Sequence, residues 1–258
     1  MSYTFTQVTI LWKAEKRQWI KTSTYAEYVY HINKHLLPFF GQLEAEPIKE
    51  STIQKFVNEL IAKGLGLNTI RDSIMILRMI LRFGTKLDAW PHIEFDVHYP
   101  SESEKKREVP VIPPSDCKTL LKYLQQNFSF RNLGILICIH TGLRIGEICA
   151  LQWKDLDVDS GVIHITKTVQ RLWLSDGDEK VNALTIHSPK TATSVRDIPI
   201  SKSLMKTIRP LRKVMRDDFF MVSNAPEPLE PRYYRDYFRK LLSQLGIPPI
   251  RFHALRHS

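Results

Sequence analysis

Between Trp90 and Pro114 the chain gives up every regular hydrophobic period. The stretch WPHIEFDVHYPSESEKKREVPVIPP places prolines at 91, 100, 110, 113 and 114 and gathers a Ser/Glu/Lys run between them. Proline fixes φ and has no N–H to give to a helix or a sheet ladder, so no packed element runs through such a segment. A chain of 258 residues broken there reads as two bodies. The division is a helical domain over 1–90, a linker over 91–112 and a second domain over 113–258.

The first body reads as all-helical. In TYAEYVYHINKHLLPFFG, Tyr25, Tyr28, Val29, Ile32 and Leu36 form one apolar stripe, closed by Pro38 and Gly41. STIQKFVNELIAKG carries Ile53, Phe56, Val57, Leu60 and Ile61 on one face, with Ser51 or Thr52 to open it and Gly64 to close it. NTIRDSIMILRMILRFG, opened by Asn68 or Thr69, is apolar almost all round, and Arg71, Arg78 and Arg82 share one edge of it. That basic edge suits a helix laid on DNA, and equally an ordinary helix keeping its arginines wet.

The second body changes character. SDCKTLLKYLQQN and SFRNLGILICIH read as helices, and TGLRIGEICALQ as a glycine turn followed by a short helix. DLDVDSGVIHITKTV reads as a hairpin turned at Asp159-Ser160-Gly161. A second hairpin is expected from VNALTIH through SPKTATS to VRDIPI. SKSLMKTIRPLRKVM is helical with Pro210 expected to kink or break it, and RYYRDYFRKLLSQLG is a helix ended by Gly246. The fold class is therefore mainly α with small β-hairpins, an α+β chain.

Lys and Arg number 37 against 27 Asp and Glu, a net charge of +10, and the sequence pI is near 9.5. Residues 190–258 alone hold 14 basic and 6 acidic side chains. Such an excess favours a polyanionic partner over a small neutral substrate. At 43% hydrophobic residues the chain is no disordered tail. Cys117, Cys138 and Cys149 make neither a disulfide framework nor a C-x-x-C metal pair, which points to a reducing compartment. No apolar run approaches a membrane span of about 18–20 residues. The first twenty residues lack a signal-peptide core, and no membrane partner is expected.

Several residues could handle a phosphate together. Arg144 opens a short helix beside buried apolar surface, and Glu147 at i+3 can hold it. Lys190 lies in the expected hairpin turn, and His253 and Arg256 share a helix face. Guanidinium forks bind non-bridging oxygens and stabilise charge growing at phosphorus. A lysine among cations can protonate an alkoxide, and a histidine can donate or relay a proton.

The order of these boxes closely resembles the tyrosine recombinase, or phage integrase, family. That family's pattern is T-G-x-R-x-x-E-x-x-x-L-x-W-x-D, a hairpin lysine, then H-x-x-R-H. Here it is met by Thr141, Gly142, Arg144, Glu147, Leu151, Trp153 and Asp155, by Lys190 followed by Arg196, Ile198 and Pro199, and by His253, Leu255, Arg256 and His257. The N-terminal helices are similar to the family's SAM-like core-binding domain. The resemblance implies a clamp on double-stranded DNA. It implies a tyrosine that forms a 3′-phosphotyrosyl link without metal or other cofactor, and strand exchange in a homo-tetramer, with accessory DNA-bending proteins as further partners. It makes Arg144 and Arg256 the phosphate clamp, His253 an assistant and Lys190 the general acid. Glu147 and His257 become supports, and Arg71, Arg78, Arg82 and Arg196 DNA contacts. The implied location is cytoplasmic, on the nucleoid.

The family's pattern continues past H-x-x-R-H to an apolar helix and the nucleophilic tyrosine. This sequence stops at Ser258, so it reads as a truncated member whose chain holds no nucleophile and is inactive alone. Tyr233, Tyr234 and Tyr237 precede the second box, and two of them are expected to pack. A non-catalytic DNA-binding module or regulator derived from an integrase is the alternative. A zinc-hydrolase reading of His253 and His257 at i, i+4 lacks the glutamate, replaced by Ala254, and a third ligand.

Overall fold

The computed structural model describes residues 3–43, 48–100, 111–188 and 195–257. It separates into two compact units, residues 1–105 with 172–182, and residues 106–171 with 183–258. As expected, the fold is mainly helical with small antiparallel sheets. Among the described residues, no helix is long and apolar enough to cross a membrane.

The first unit opens with a helix not expected from the sequence, α1 (Phe5–Arg17). Its capping box joins Thr4 and Gln7, and it buries Phe5, Val8 and Trp12. Next come α2 (Thr22–His31), a π-helical turn (Ile32–Leu36) and α3 (Leu37–Phe40) as one rod. Pro38 lacks an N–H and its ring crowds the carbonyl four residues back. The preceding turn is widened, with the Leu37 N–H on the Ile32 carbonyl. Tyr25, Val29, Ile32 and Leu36 of the expected stripe are all buried. In α4 (Glu50–Ala62) the end is a Schellman motif. Gly64 takes φ +75°, its N–H meets the Ile61 carbonyl at 2.8 Å and that of Leu65 meets Leu60 at 3.2 Å. The long α5 (Leu67–Lys86) carries the core through Ile70, Ile74, Leu77 and Leu81.

After α5 the chain stays on this unit. Trp90 is buried and gives its indole N–H to the Leu81 carbonyl at 2.9 Å. Its ring lies so close that a Cβ on Gly84 would fall 2.2 Å from it. Phe95 joins the same core, and Gln54 bonds both backbone groups of His98. A hairpin tip completes the unit. Strands β3 (Thr168–Asp176) and β4 (Glu179–His187) pair with each other, and Leu172 and Leu174 pack on Tyr25, Ala26 and Val29. At the tip Asp176 accepts from Lys13 and the Tyr25 hydroxyl, and Glu179 pairs with Arg17.

The second unit gathers α6 (Pro114–Gln126), α7 (Phe130–Thr141), α8 (Ile145–Ala150), α9 (Lys202–Arg212) and α10 (Pro231–Gln244) about one core. Pro210 falls in the last turn of α9, which ends two residues later. Strands β1 (Leu156–Asp157), β2 (Val162–Ile165) and β5 (Arg196–Pro199) form an antiparallel sheet in the order β1-β2-β5. The turn through Gly161 (φ +70°) is where the sequence places it. The second expected hairpin is not formed as read: Thr168–Asp176 is itself a strand and takes β4 as partner. β5 instead pairs with β2, Ile163 facing Ile198. Tyr234 is fully buried and its hydroxyl meets the Arg131 carbonyl at 2.6 Å. Phe252 wedges against Tyr234 and Phe238 and seats the final 3₁₀ turn, Phe252–His257.

Candidate phosphate-binding site

The site is built in the second unit at the junction of α7 and α8. Helix α7 closes on Gly142, left-handed at φ +64°, whose N–H meets the Cys138 carbonyl at 2.8 Å. Leu143 then dives into the core and Arg144 takes an extended backbone ahead of α8. Glu147, in the first turn of α8, reaches back and accepts the Arg144 N–H at 2.9 Å. This local loop turns the Arg144 side chain outward, 55% exposed, while Glu147 is only 4% exposed.

Two guanidinium groups meet on the Glu147 carboxylate. Arg144 Nη1 bonds Oε1 at 3.0 Å. Arg196, brought in by β5, forks onto both oxygens, Nη1 to Oε1 at 3.1 Å and Nη2 to Oε2 at 2.9 Å. Burial by itself would raise the Glu147 pKa; the Arg196 bonds, the Arg144 amide and the Arg144 side chain outweigh it and hold the carboxyl below its usual range. Arg256, from the final 3₁₀ turn, belongs to the same group. Its pKa is lowered first by burial and then by the charge of Arg144; Arg196 lowers it further, while Glu147 opposes. The backbone agrees: a Cβ on Gly142 would lie 4.0 Å from the Arg256 carbonyl oxygen, so the turn that bears Arg256 packs against the turn that precedes Arg144. Beneath them Cys138 is buried, its thiol pushed up to about 12 by desolvation and directed at the Leu143 carbonyl.

The remaining residues singled out from the sequence stand as follows. His253 is exposed and lies one 3₁₀ turn before Arg256, and at three residues per turn the two side chains stack on one edge. His257 ends that turn. Lys190 lies outside the described residues. Leu151 and Trp153 are core, and Asp155 holds the Gln152 N–H and Lys167. Lys167-Thr168 repeats the Lys-Thr pair of Lys190-Thr191, yet its ammonium is tied to Gln152 and Asp155 at 2.6 and 2.9 Å. Of the α10 tyrosines, Tyr234 and Tyr237 pack, with hydroxyls on the Arg131 carbonyl and Asn132 Oδ1, and Tyr233 is exposed. Sequence reasoning missed His140, whose Nδ1 lies 3.1 Å from Ser201 Oγ beside Thr141. Burial lowers its pKa.

In the first unit Arg71, Arg78 and Arg82 are exposed along α5. Arg71 lies over the Tyr99 ring at 5.4 Å and Arg78 over Phe95 at 4.7 Å, with Nη2 on the Phe95 carbonyl at 3.2 Å. Arg78 and Arg82 line an open hollow with Glu50, Glu94 and Asp96, so acids and bases alternate there. Among the described residues no group of three or more His, Cys, Asp or Glu is placed to hold a metal ion.

The family model for phage integrases matches residues 110–258, and that for the phage integrase N-terminal SAM-like domain matches residues 4–61. This chain belongs to the phage integrase family. Among curated relatives of this integrase-family chain, a "Tyrosine recombinase XerC-like" protein of Caldanaerobacter subterraneus is 23% identical over 92% of the chain. The ICEBs1 integrase of Bacillus subtilis is 24% identical over 92%. The chain spans 66% and 65% of their respective lengths. The fold is similar to the Tn1549 transposon integrase in complex with transposon right end DNA, with TM-score 0.76, 19% identity, and coverage of 99% of this chain and 84% of that one. It is also similar to lambda integrase bound to DNA, with TM-score 0.66, 17% identity, and coverage of 98% and 84%.

Proposed function

We propose that this integrase-family chain grips duplex DNA and forms the phosphate-handling site of a site-specific DNA recombinase. The observation that carries the reading is the meeting of Arg144 and Arg196 on one buried carboxylate, with the turn that bears Arg256, from the second sequence box, packed against the Gly142 turn ahead of Arg144. In this role the Arg144 and Arg256 guanidinium groups take the non-bridging oxygens of one backbone phosphate. They stabilise the charge that grows as phosphorus becomes five-coordinate. The nucleophile of the family pattern is a tyrosine, a role given to none of this chain's nine tyrosines; its oxygen attacks phosphorus as its phenolic proton passes to water, the bond to the 5′-oxygen breaks, and the departing alkoxide takes a proton. Lys190 is the proposed donor of that proton, His253 assists at the phosphate and His257 supports it. One phosphodiester is exchanged for another, so no high-energy cofactor is consumed.

Arg71, Arg78 and Arg82 are the proposed duplex contacts of the first unit, and the basic excess of residues 190–258 serves the second. Assembly as a homo-tetramer belongs to the same proposal; a solved relative is a lambda integrase tetramer bound to a Holliday junction. So do accessory DNA-bending proteins and a place on the cytoplasmic nucleoid.

The test is binding of the whole chain to a fluorescent duplex across a salt series. Neutralising phosphates makes log K fall with log salt at a slope of about −0.9 per phosphate, so a steep negative slope is expected. Arg144→Ala should leave most of this non-specific affinity in place, because many other cations share it. A flat salt response contradicts the reading.

A further inference from the structure

We infer that Arg196 is a positioning residue whose task is to keep Glu147 from capturing Arg144. The inference rests on the phosphate-site reading above and assigns within it a residue that the sequence marks only as a DNA contact. Glu147 is an ionised carboxylate in a nearly dry setting, and such a group takes the best fork of donors available. Arg144 is the cation nearest to it in the sequence, joined to it already by the backbone bond. Left as a pair, the two would close a bidentate ion pair. Arg144 would then be electrically neutralised and turned away from solvent.

The geometry is otherwise. Arg196 covers both oxygens of Glu147, at 3.1 and 2.9 Å, and Arg144 keeps a single side-chain bond, at 3.0 Å. The Arg144 side chain stays 55% exposed against 28% for Arg196. Two cations on one anion leave a net positive charge at the site, to which Arg256 adds. Arg196 thus satisfies the buried acid, and Arg144 remains charged and outward for an oxyanion. Lysine could supply the charge but not the fork.

The test is a double-mutant cycle on the whole chain, with inorganic phosphate as probe, affinity by calorimetry and folding by thermal melting. Arg144→Ala marks binding that belongs to the site. Arg196→Ala is expected to weaken phosphate binding about tenfold, the scale of coupling within one ion-pair network. In a Glu147→Gln background, where no carboxylate competes for Arg144, the same change should cost less than about threefold. Should Arg196→Ala prove unfolded, Arg196→Lys run through the same cycle gives the same pattern with smaller loss. An equal loss in both backgrounds overturns the inference, because Arg196 would then touch the anion itself. No loss in a folded Arg196→Ala chain overturns it too, leaving Arg196 a purely structural ion pair. If wild type and Arg144→Ala bind phosphate alike, the phosphate-site reading fails and takes this inference with it.

Discussion

Gly146 precedes Glu147 and has room for no side chain. A Cβ there would fall 2.5 Å from Thr168 Oγ1 and 2.7 Å from the Val169 carbonyl oxygen. Backbone cannot yield as a side-chain tip can, so Gly146→Ala is expected to destabilise the second unit by about 1–3 kcal/mol, the usual cost of overpacking. The measurement is a lower denaturant midpoint at unchanged slope; a wild-type midpoint would contradict the packing described. At this scale the sequence was informative about Arg144 and Glu147, because a glycine turn and a three-residue reach are local. It was silent on the Arg196–Glu147 fork, which joins residues 49 apart through the sheet. Lys167 begins a Lys-Thr pair as Lys190 does, and what sets it apart is long-range: its bonds to Gln152 and Asp155.

Among the elements, the α2–α3 rod carries a buried histidine pair, His31 at the end of α2 and His35 in the widened turn. His31 Nδ1 lies 2.8 Å from Ser73 Oγ, His35 stands 5.8 Å from it ring to ring, and Tyr30 meets both edge-on. Glu27 lies 3.6 Å from His31 Nε2. Burial lowers the His35 pKa, and the charges of His31, Lys34 and Lys63 lower it further. The folded state then binds fewer protons than the unfolded chain below the ordinary histidine value of about 6.5. Stability in the first unit should fall as pH drops through that value toward the depressed one. Hydrogen exchange of the α2–α3 amides between pH 7.5 and 5.5 reads this directly. His35→Leu should flatten the dependence; an unchanged slope would rule the histidine out. Carboxylates such as Glu147, lowered in the fold, act only further down, below about pH 4.5.

The same scale shows where periodicity served and where it did not. The apolar stripes of α4 and α5 are continuous, and both helices form. Helix α1 was announced by its Thr4 and Gln7 box and by Phe5, Val8 and Trp12, a stripe easily lost beside the polar residues of the N-terminus. The Asp176-Gly177 pair was a turn signal for β3–β4. The segments 181–187 and 195–200 lie only seven residues apart and read as partners, whereas sheet pairing answers to distant faces.

For the whole molecule, the basic composition and the two ordered boxes pointed to a polyanion and to one reaction family before any coordinates. The family model over residues 110–258 agrees with them. No local signal announced that residues 172–182 pack with the N-terminal helices, since that placement depends on Leu172, Leu174 and Asp176 finding Tyr25, Val29 and Lys13. The central claim is that Arg144 and Arg256 converge on one phosphate. A crystal of the chain soaked in tungstate, a heavy tetrahedral dianion, puts that to the most direct test through its anomalous signal. A single oxyanion is expected within about 3 Å of both guanidinium groups, the distance of charge-assisted hydrogen bonds. Tungstate held by only one of the two arginines, or by neither, would contradict it.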